Sequence, residues 1–345
     1  MKAWRTYGYG DMRLDEVPEP APKPGWVKLR IRTVQPSITE CLLLGGARTY
    51  GFALVEKALA GGPAQLFGHE FSGEVVETGE GVESLKPGMR VAARGSHPEG
   101  IVGFDYPGAL AEYGVFPESL LAPLPDHVSD SEGAAIQPLT DAAAAVDAAA
   151  IRLGEVAVVI GQGSMGLACL QVARAAGAGL TVAVARRDEV LALSRDLGAD
   201  VTVNATKQDP VDAVRALTGG RGADVVFETA GGPPEQGLAG NATLIQAAAM
   251  CRDNGRVVGI AFDGDAAVLP YASFRPRSIR YLFPSMLDRR LFEATVHLVA
   301  SGQVRLKPVI TRVLDGIEAV PEAFALTAEK AKHGLINPAQ VAISR

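Results

Sequence analysis

Three glycines between a strand-like run and a helix-like run constrain this chain more than any other feature. In EVAVVIGQGSMGLACLQVARAAGA, Gly161, Gly163 and Gly166 follow an apolar run and lead into an alanine- and leucine-rich segment. In that context the first glycine permits a tight turn, the second lets the backbone approach a pyrophosphate, and the third lets helix and strand pack closely. The amides of Ser164 and Met165, at the start of the helix, then face the phosphates. The motif predicts that the chain binds a dinucleotide.

The end of the next predicted strand indicates which dinucleotide binds. NAD-binding units usually carry an acidic residue there, which accepts hydrogen bonds from the ribose hydroxyls. In LTVAVARRDEV this position falls on Ala185, and Arg186 and Arg187 follow it. No carboxylate repels a 2′-phosphate at this point, and two guanidinium groups can pair with one. The sequence favours NADP(H) over NAD(H); the alternative is that both arginines are solvated residues at a helix start.

From about residue 139 to 303, short β-branched runs alternate with longer segments rich in alanine and leucine. Apolar strands separated by amphipathic helices are typical of a parallel sheet covered on both faces. The predicted strands are Val156–Ile160, Leu180–Val184, Val201–Asn204, Asp224–Glu228 and Arg256–Ile260. The predicted helices are Met165–Ala176, Asp188–Leu197 and Pro210–Thr218. We therefore expect an α/β domain with a doubly wound parallel sheet over residues 139–303.

The first 138 residues follow a different pattern, and 345 residues are enough for two domains. Gly and Pro interrupt this part densely, and turn signals bound the strand-like pieces Trp26–Thr33 and Gly73–Glu77. This composition predicts an irregular, β-rich domain. The tail returns to strand-like and short helical patterns, so we expect residues 304–345 to complete the domain that begins with residues 1–138.

Charge and cysteine content exclude several classes of partner. The net charge is −6 and Arg and Lys are scattered, so neither nucleic acid nor an anionic membrane is expected as partner. The opening residues are charged throughout and no segment approaches about eighteen uninterrupted apolar residues, so we expect no signal peptide and no membrane span. Cys41, Cys169 and Cys251 lie far apart in the sequence, which suits a reducing cytoplasm and offers no cysteine-based zinc knuckle.

The chain resembles, nearly from end to end, the medium-chain dehydrogenase/reductase superfamily, on the sorbitol and threonine dehydrogenase side of the zinc alcohol dehydrogenases. Its most specific signature is GHEFSGEVVETGEGV, with Gly68, His69, Glu70, Gly73 and Gly79; KPGMRV, GALAEYGVFPES and the glycine motif then follow in the family's order. The resemblance implies a GroES-like catalytic domain, a Rossmann domain inserted before its C-terminal strands, and an active site in the cleft between them. It also implies a homodimer or homotetramer that pairs through the edge strand of the Rossmann sheet.

The resemblance also shows where this chain departs from members that hold a catalytic zinc. Those members use a cysteine, the GHE histidine, and a third Cys, Asp or Glu, whereas the matching positions here carry Ser37, His69 and Gln137. Zinc binds thiolate, imidazole and carboxylate better than hydroxyl or amide groups, so the sequence disfavours a tightly bound catalytic zinc. A rearranged metal site on His69 and Glu70, with Glu40 as a further ligand, stays open.

Two further positions bear on zinc. Cys41 is a conceivable ligand, but it lies one helical turn beyond the matching position. The structural zinc of the family needs four closely spaced cysteines, and Ala92–Gly108 contains none, so this site is expected to be absent. His97 alone cannot replace those cysteines, and we expect it to be a surface loop residue.

A metal-independent proton path is the expected alternative to zinc. Thr39 matches the proton-relay position of the family, Ser37 stands at the former ligand position, and Glu40 matches the acid that orients the histidine in zinc members. A Glu40–His69 pair would raise the imidazole pKa and make His69 a proton donor. We therefore take Thr39, His69, Glu40 and Ser37 as the candidate catalytic residues.

These residues lead to one expected function and two alternatives. We expect NADP(H)-dependent interconversion of a secondary alcohol and a ketone or aldehyde by hydride transfer, acting on a small molecule in the cytoplasm. A zinc-independent reductase of an activated C=C bond, of the enone or quinone type, fits the altered ligands as well. A non-catalytic NADPH-binding protein is the third interpretation, and the presence of Thr39, Glu40, His69 and Glu70 argues against it.

The stretch between Ser37 and His69 is several residues longer than in most relatives. The surplus falls in residues 47–65, where Phe52, Val55 and Leu59 recur at helical spacing. The sequence leaves open whether this is a surface helix that packs on its own domain or a wall of the substrate pocket.

Overall fold

The computed structural model describes residues 1–97, 100–232, 240–261, 269, 271–284 and 288–344. The chain divides into two compact units. The first comprises Met1–Pro138, Phe292–Ala300 and Leu306–Arg345, and the second comprises Leu139–Leu291 and Ser301–Arg305. No helix within the described ranges has the length and hydropathy to span a bilayer.

Strands and helices are numbered along the chain. The strands are β1 (Lys2–Gly8), β2 (Asp11–Glu16), β3 (Trp26–Gln35), β4 (Glu70–Thr78), β5 (Arg90–Ala93), β6 (Ser96–His97), β7 (Gly100–Ile101), β8 (Tyr113–Pro117), β9 (Leu121–Pro123), β10 (Val156–Ile160), β11 (Leu180–Ala185), β12 (Val201–Asn204), β13 (Ala223–Glu228), β14 (Cys251–Gly259), β15 (Arg280–Leu282), β16 (Val313–Asp315) and β17 (Gln340–Ala342). The helices are α1 (Ile38–Leu44), α2 (Phe52–Leu59), α3 (Asp130–Ala134), α4 (Ile136–Ala149), α5 (Ser164–Ala175), α6 (Asp188–Asp196), α7 (Pro210–Leu217), α8 (Ala242–Met250), α9 (Tyr271–Phe274), α10 (Arg289–Ala300) and α11 (Val320–Ala328).

A seven-stranded sheet organises the first unit. Its order is β16-β17-β3-β4-β5-β9, with β8 paired to the other part of β3. Alternate residues of β3 are buried, among them Val27, Leu29 and Ile31, and they join a core that includes Phe71 and Phe116. This alternation is what a strand with one core face requires. The β-rich first domain predicted from the sequence is therefore confirmed.

The second unit contains a six-stranded parallel sheet in the order β12-β11-β10-β13-β14-β15. Its central strands are almost wholly buried, which is why they are apolar runs in the sequence. This order is that of a doubly wound Rossmann sheet, so the predicted fold class is confirmed. The short strand β15 has no counterpart among the predicted strands, because Arg-Tyr-Leu contains no apolar run that would mark a buried strand.

The longer segment before His69 forms α2. Val55 is buried in the core of the first unit, and the ring of Phe52 stacks on Tyr9 with centroids 5.7 Å apart. The segment is thus a helix that packs on its own domain. His97, expected in a loop, instead has its backbone in the short strand β6, which pairs with β7; this correction arises because a two-residue strand leaves no periodic signal in the sequence.

Candidate active site

Helix α1 begins after Ser37, and a capping box fixes its first turn. The Ser37 hydroxyl accepts a hydrogen bond from the Glu40 amide at 3.1 Å, and the Glu40 carboxylate accepts one from the Ser37 amide, also at 3.1 Å. Ser-x-x-Glu is the sequence signature of this cap. The cap turns the Glu40 side chain inward, where it is fully buried.

The second carboxylate oxygen of Glu40 faces His69. Glu40 Oε1 lies 2.6 Å from Nδ1 of His69, and it also accepts hydrogen bonds from the amides of Gly68 at 2.7 Å and of His69 at 3.2 Å. These donors compensate for the burial of a carboxylate. Since a carboxylate only accepts hydrogen bonds, the contact assigns a hydrogen to Nδ1.

Glu70 lies on the other side of the imidazole. Its Oε1 is 3.8 Å from Nε2 of His69, and its Oε2 accepts a hydrogen bond from the side chain of Gln35. The Gln35 side chain in turn accepts hydrogen bonds from Asn337 and, at 2.9 Å, from Gln340. Glu70 and these three amide residues are all buried, and the register of the sheet sets Gln35 directly opposite Glu70.

Gln35, Asn337 and Gln340 are not among the site residues predicted from the sequence. Gln35 carries the one available signal, because it is an amide at the buried carboxyl end of β3, just before the site. Asn337 and Gln340 lie 302 and 305 residues further along the chain than Gln35, and no local pattern links them to it.

Gln137 and Thr39 are the other two residues that the sequence predicts near His69. A Cβ added at Gly95 would lie 3.1 Å from Cγ of Gln137 and 3.3 Å from Cδ2 of His69, so both side chains border Gly95. Ser37 is linked to the same imidazole through Glu40, so the three positions that the resemblance matches to zinc ligands all lie around His69. Thr39 lies in the first turn of α1, next to Glu40, and is exposed.

The donor set at this site does not fit a zinc ion. The Ser37 hydroxyl is engaged in the helix cap, and the Cys41 thiol donates to the carbonyl oxygen of Phe324 at 3.5 Å. Burial, with the charges of Glu40 and Glu70, raises the pKa of Cys41 far above its usual value, so this cysteine is a neutral thiol. Within the described residues, no group of three or more His, Cys, Asp or Glu side chains is arranged to hold a metal, His69 and Glu70 included.

The glycine motif forms the turn that a dinucleotide requires. Gly161 follows β10, Gly163 is the N-cap of α5, and Ser164 and Met165 are the first two residues of that helix. A Cβ on Gly166 would lie 1.9 Å from the carbonyl oxygen of Gly161, so the helix packs on the turn itself. A Cβ on Gly163 would meet nothing within 4 Å, which leaves open space in front of the helix amino end. These residues fit a pyrophosphate group.

The two arginines follow the neighbouring strand. β11 ends at Ala185, and both Arg186 and Arg187 are exposed; Nη1 of Arg187 lies 3.7 Å from a carboxylate oxygen of Glu189. The next residue is Asp188, whose carboxylate would oppose a phosphate. Two side chains that are not among the residues predicted from the sequence hold this carboxylate.

These side chains come from the end of β12 and the loop after it. Lys207 Nζ lies 2.6 Å from one oxygen of Asp188, and the side-chain amide of Asn204 donates to the other at 2.7 Å. The hydrogen bonds from Lys207 and then Asn204 lower the pKa of Asp188. Lys207 also offsets the negative charge of Asp188, next to Arg186 and Arg187.

Comparison with known proteins identifies the family. The model of the alcohol dehydrogenase GroES-like domain matches residues 23–126, and that of the zinc-binding dehydrogenase matches residues 164–301. L-threonine 3-dehydrogenase of Bacillus velezensis is 32% identical over 273 residues, which cover 72% of this chain and 75% of that protein. (R,R)-butanediol dehydrogenase of Bacillus subtilis is 31% identical over 353 residues, covering 96% and 98%. The chain belongs to the zinc-type medium-chain dehydrogenase/reductase superfamily.

The fold of this medium-chain dehydrogenase agrees with that of solved relatives. The crystal structure of 2R,3R-butanediol dehydrogenase from Bacillus subtilis superimposes with a TM-score of 0.81 at 26% sequence identity, over 99% of each chain. The predicted superfamily and its α/β fold class are confirmed. The chain is an alcohol dehydrogenase-like oxidoreductase.

Proposed function

We propose that the chain interconverts a secondary alcohol and a ketone or aldehyde by hydride transfer, with NADP(H) as the cofactor. The observation that carries this proposal is the Glu40–His69 pair, in which a fully buried carboxylate lies 2.6 Å from Nδ1 of the imidazole. The two relatives above are named for L-threonine and butanediol, which both contain a secondary hydroxyl group. A small-molecule alcohol or carbonyl of this type is the proposed substrate.

His69 is the proposed proton carrier. When bound, the nicotinamide cofactor supplies or accepts the hydride. In the reductive direction Nε2 of His69 protonates the substrate oxygen, and Glu40 fixes the tautomer and stabilises the imidazolium. Thr39, exposed beside Glu40, passes the proton between this site and solvent, and Ser37 holds the first turn of α1 that carries both.

The cofactor preference rests on the second unit. Gly161, Gly163 and Gly166 with the amino end of α5 bind the pyrophosphate, and the segment from Ala185 to Arg187 receives the 2′-phosphate. Lys207 supports this choice because it offsets the Asp188 carboxylate at the start of α6. We propose that turnover requires no zinc, because no anionic ligand stands at positions 37 and 137.

The test is His69→Ala, with His333→Ala as the control because His333 is exposed on the same unit and belongs to no motif. We expect His69→Ala to abolish carbonyl reduction while the affinity for NADPH stays unchanged. Full activity in this variant would remove His69 from the mechanism. Metal analysis of the purified protein, and rates with NADPH against NADH, test the other two parts of the proposal separately.

A second candidate is a reductase of an activated C=C bond. The side chains at the site favour this function, because Ser37 and Gln137 are neutral and give a metal ion no anionic ligand. A metal ion is what would polarise a carbonyl group for reduction. An α,β-unsaturated ketone and its saturated analogue separate the two functions. A saturated ketone as product indicates C=C reduction, an alcohol indicates carbonyl reduction, and NADPH binding without oxidation by either substrate indicates a non-catalytic protein.

A further inference from the structure

The second unit has a surface cavity of about 390 Å³ whose walls are almost entirely charged. Its lining residues are Arg215, Gly220, Arg221, Arg252, Asp253 and Arg277. No apolar side chain is among them, and none of them belongs to the nucleotide site described above. The cavity is therefore a separate feature with a strongly cationic lining.

The cavity lies at the opposite edge of the sheet from the glycine motif. Its walls come from the end of α7, the turn before β13, the start of β14 and the segment that leads into β15. In a parallel sheet all strands begin at one edge and end at the other, and the glycine turn follows the carboxyl end of β10. A molecule in the cavity would not compete with a dinucleotide at the glycine turn.

Part of the arginine cluster has a structural explanation. Arg215 donates to the carbonyl oxygen of Ala249 at 2.8 Å, and Arg277 donates to those of Ala248, at 2.9 Å, and Cys251. These bonds satisfy carbonyl groups at the end of α8. Helix capping therefore accounts for Arg215 and Arg277, but it does not account for Arg221 or Arg252.

The carboxylates around the cavity do not balance the arginines. Asp224 lies 2.5 Å from Nε of Arg252, Asp253 lies 2.8 Å from Nε of Arg277, and Glu155 pairs with the buried Arg256 and lies 3.9 Å from Nη2 of Arg252. With Arg215 and Arg221, five guanidinium groups face three carboxylates. Among the described residues of this cluster two positive charges are in excess, in a chain whose net charge is −6.

Of the four arginines that line the cavity, Arg221 has the fewest hydrogen bonds and ion pairs with described residues. Its side chain is exposed, and within the described residues it makes no side-chain hydrogen bond and lies within 4.0 Å of no carboxylate, although its charge acts together with that of Arg252 to lower the pKa of Asp224. The loop that carries it is nevertheless fixed: Gly222 has a φ of +91°, and a Cβ there would lie 2.7 Å from the carbonyl oxygen of Met250. Close packing of this loop against the end of α8 holds Arg221 at the mouth of the cavity.

We propose that this cavity binds a small molecule that carries two or more phosphate charges. Guanidinium groups match phosphate oxygens in a bidentate geometry, and a ligand with at least two negative charges would compensate the excess. A volume of about 390 Å³ corresponds to roughly a dozen water molecules, so it holds a diphosphate or a sugar bisphosphate rather than one small ion. The charged lining disfavours an apolar ligand.

The experiment is calorimetric titration of the full chain with inorganic pyrophosphate at constant ionic strength, with and without saturating NADPH. The NADPH arm is needed because pyrophosphate can also bind at the glycine turn. We expect binding in both arms. Arg221→Ser should weaken the binding that persists in NADPH by about tenfold or more, the loss expected for one charge-assisted contact.

The controls separate a specific site from general charge attraction. Arg221→Lys keeps the charge and should lose less affinity than Arg221→Ser, while Arg195→Ser removes another exposed arginine, on α6, and should leave pyrophosphate binding unchanged. Thermal unfolding without ligand verifies that each variant is folded. An equal loss in Arg195→Ser, or no binding in the presence of NADPH, would overturn the proposal.

Two further ligands identify the size of the anion. Fructose 1,6-bisphosphate and orthophosphate are titrated under the same conditions, and at least one of pyrophosphate and the bisphosphate should bind more tightly than orthophosphate. Orthophosphate binding as tightly as both would contradict the proposed ligand class. Binding in the cavity does not depend on the proposed function. A protein that bound no NADPH would still bind pyrophosphate, and Arg221→Ser would still weaken that binding.

Discussion

The carboxylate of Glu40 lies 2.6 Å from the imidazole Nδ1 of His69, and two separate elements bring these side chains together. Glu40 is set by the capping box of α1, whereas His69 directly precedes β4. One contact thus joins the start of a helix to the start of a strand. It orients the imidazole without a metal ligand, which is the basis of the proposed mechanism.

Replacing Glu40 with Gln should lower kcat by about ten- to a hundredfold, the same loss as for carboxylates that orient metal-bound histidines. The amide keeps the size of the side chain but cannot stabilise an imidazolium. The affinity for NADPH should not change, because the glycine turn belongs to the other unit. Steady-state rates and NADPH titration of Glu40→Gln check this, with the exposed Glu322→Gln on α11 as control. Unchanged kcat would remove Glu40 from the mechanism.

Gly163→Ala and Gly166→Ala form a matched pair on one turn. A Cβ at position 166 would lie 1.9 Å from a backbone oxygen, so Gly166→Ala should lower the melting temperature by several degrees. At Gly163 the new methyl meets only open space, so Gly163→Ala should keep the native melting temperature but lose NADPH affinity. Thermal unfolding and fluorescence titration with NADPH distinguish the two. Normal NADPH binding by Gly163→Ala would show that no pyrophosphate approaches this turn.

Removing Arg186 and Arg187 together should abolish the preference for NADPH. Loss of charge-assisted bonds to a 2′-phosphate should weaken NADPH binding by about tenfold to a hundredfold, whereas NADH binding should hardly change. Titration of Arg186→Ala/Arg187→Ala with both cofactors measures this difference. Arg152→Ala, which alters an exposed arginine of the same unit, is the control. An equal loss for NADH and NADPH would mean that the arginines do not recognise the phosphate.

Gln35→Leu tests the buried amide network beside Glu70. Leucine would leave Glu70, Asn337 and Gln340 without hydrogen bonds that they make in the native protein. Since a buried polar group that loses its partner costs about 1–3 kcal/mol, the free energy of unfolding should fall by several kcal/mol. Urea unfolding measures this, with the exposed Gln303→Leu as control. Equal stability of the two variants would show that the network contributes little.

The sequence by itself determined the structural features that depend only on residues close together along the chain. Apolar runs of strand length, helices between them and the glycine turn at residues 161–166 are all local patterns, and the structure confirms the fold class that they predict. The capping box is also local, because Ser37 and Glu40 lie on one helical turn. Family motifs could place His69 near Glu40 only by resemblance.

Tertiary structure decided which distant side chains meet. Gln35 reaches Glu70 through strand register and Asn337 across 302 residues, and the arginine cavity draws Arg215, Arg252 and Arg277 from three separate segments. Such contacts depend on which strands pair and how loops close, and these are set by burial of the whole core rather than by any local preference. The sequence around a polar residue therefore does not identify the distant residue that becomes its hydrogen-bond or ion-pair partner.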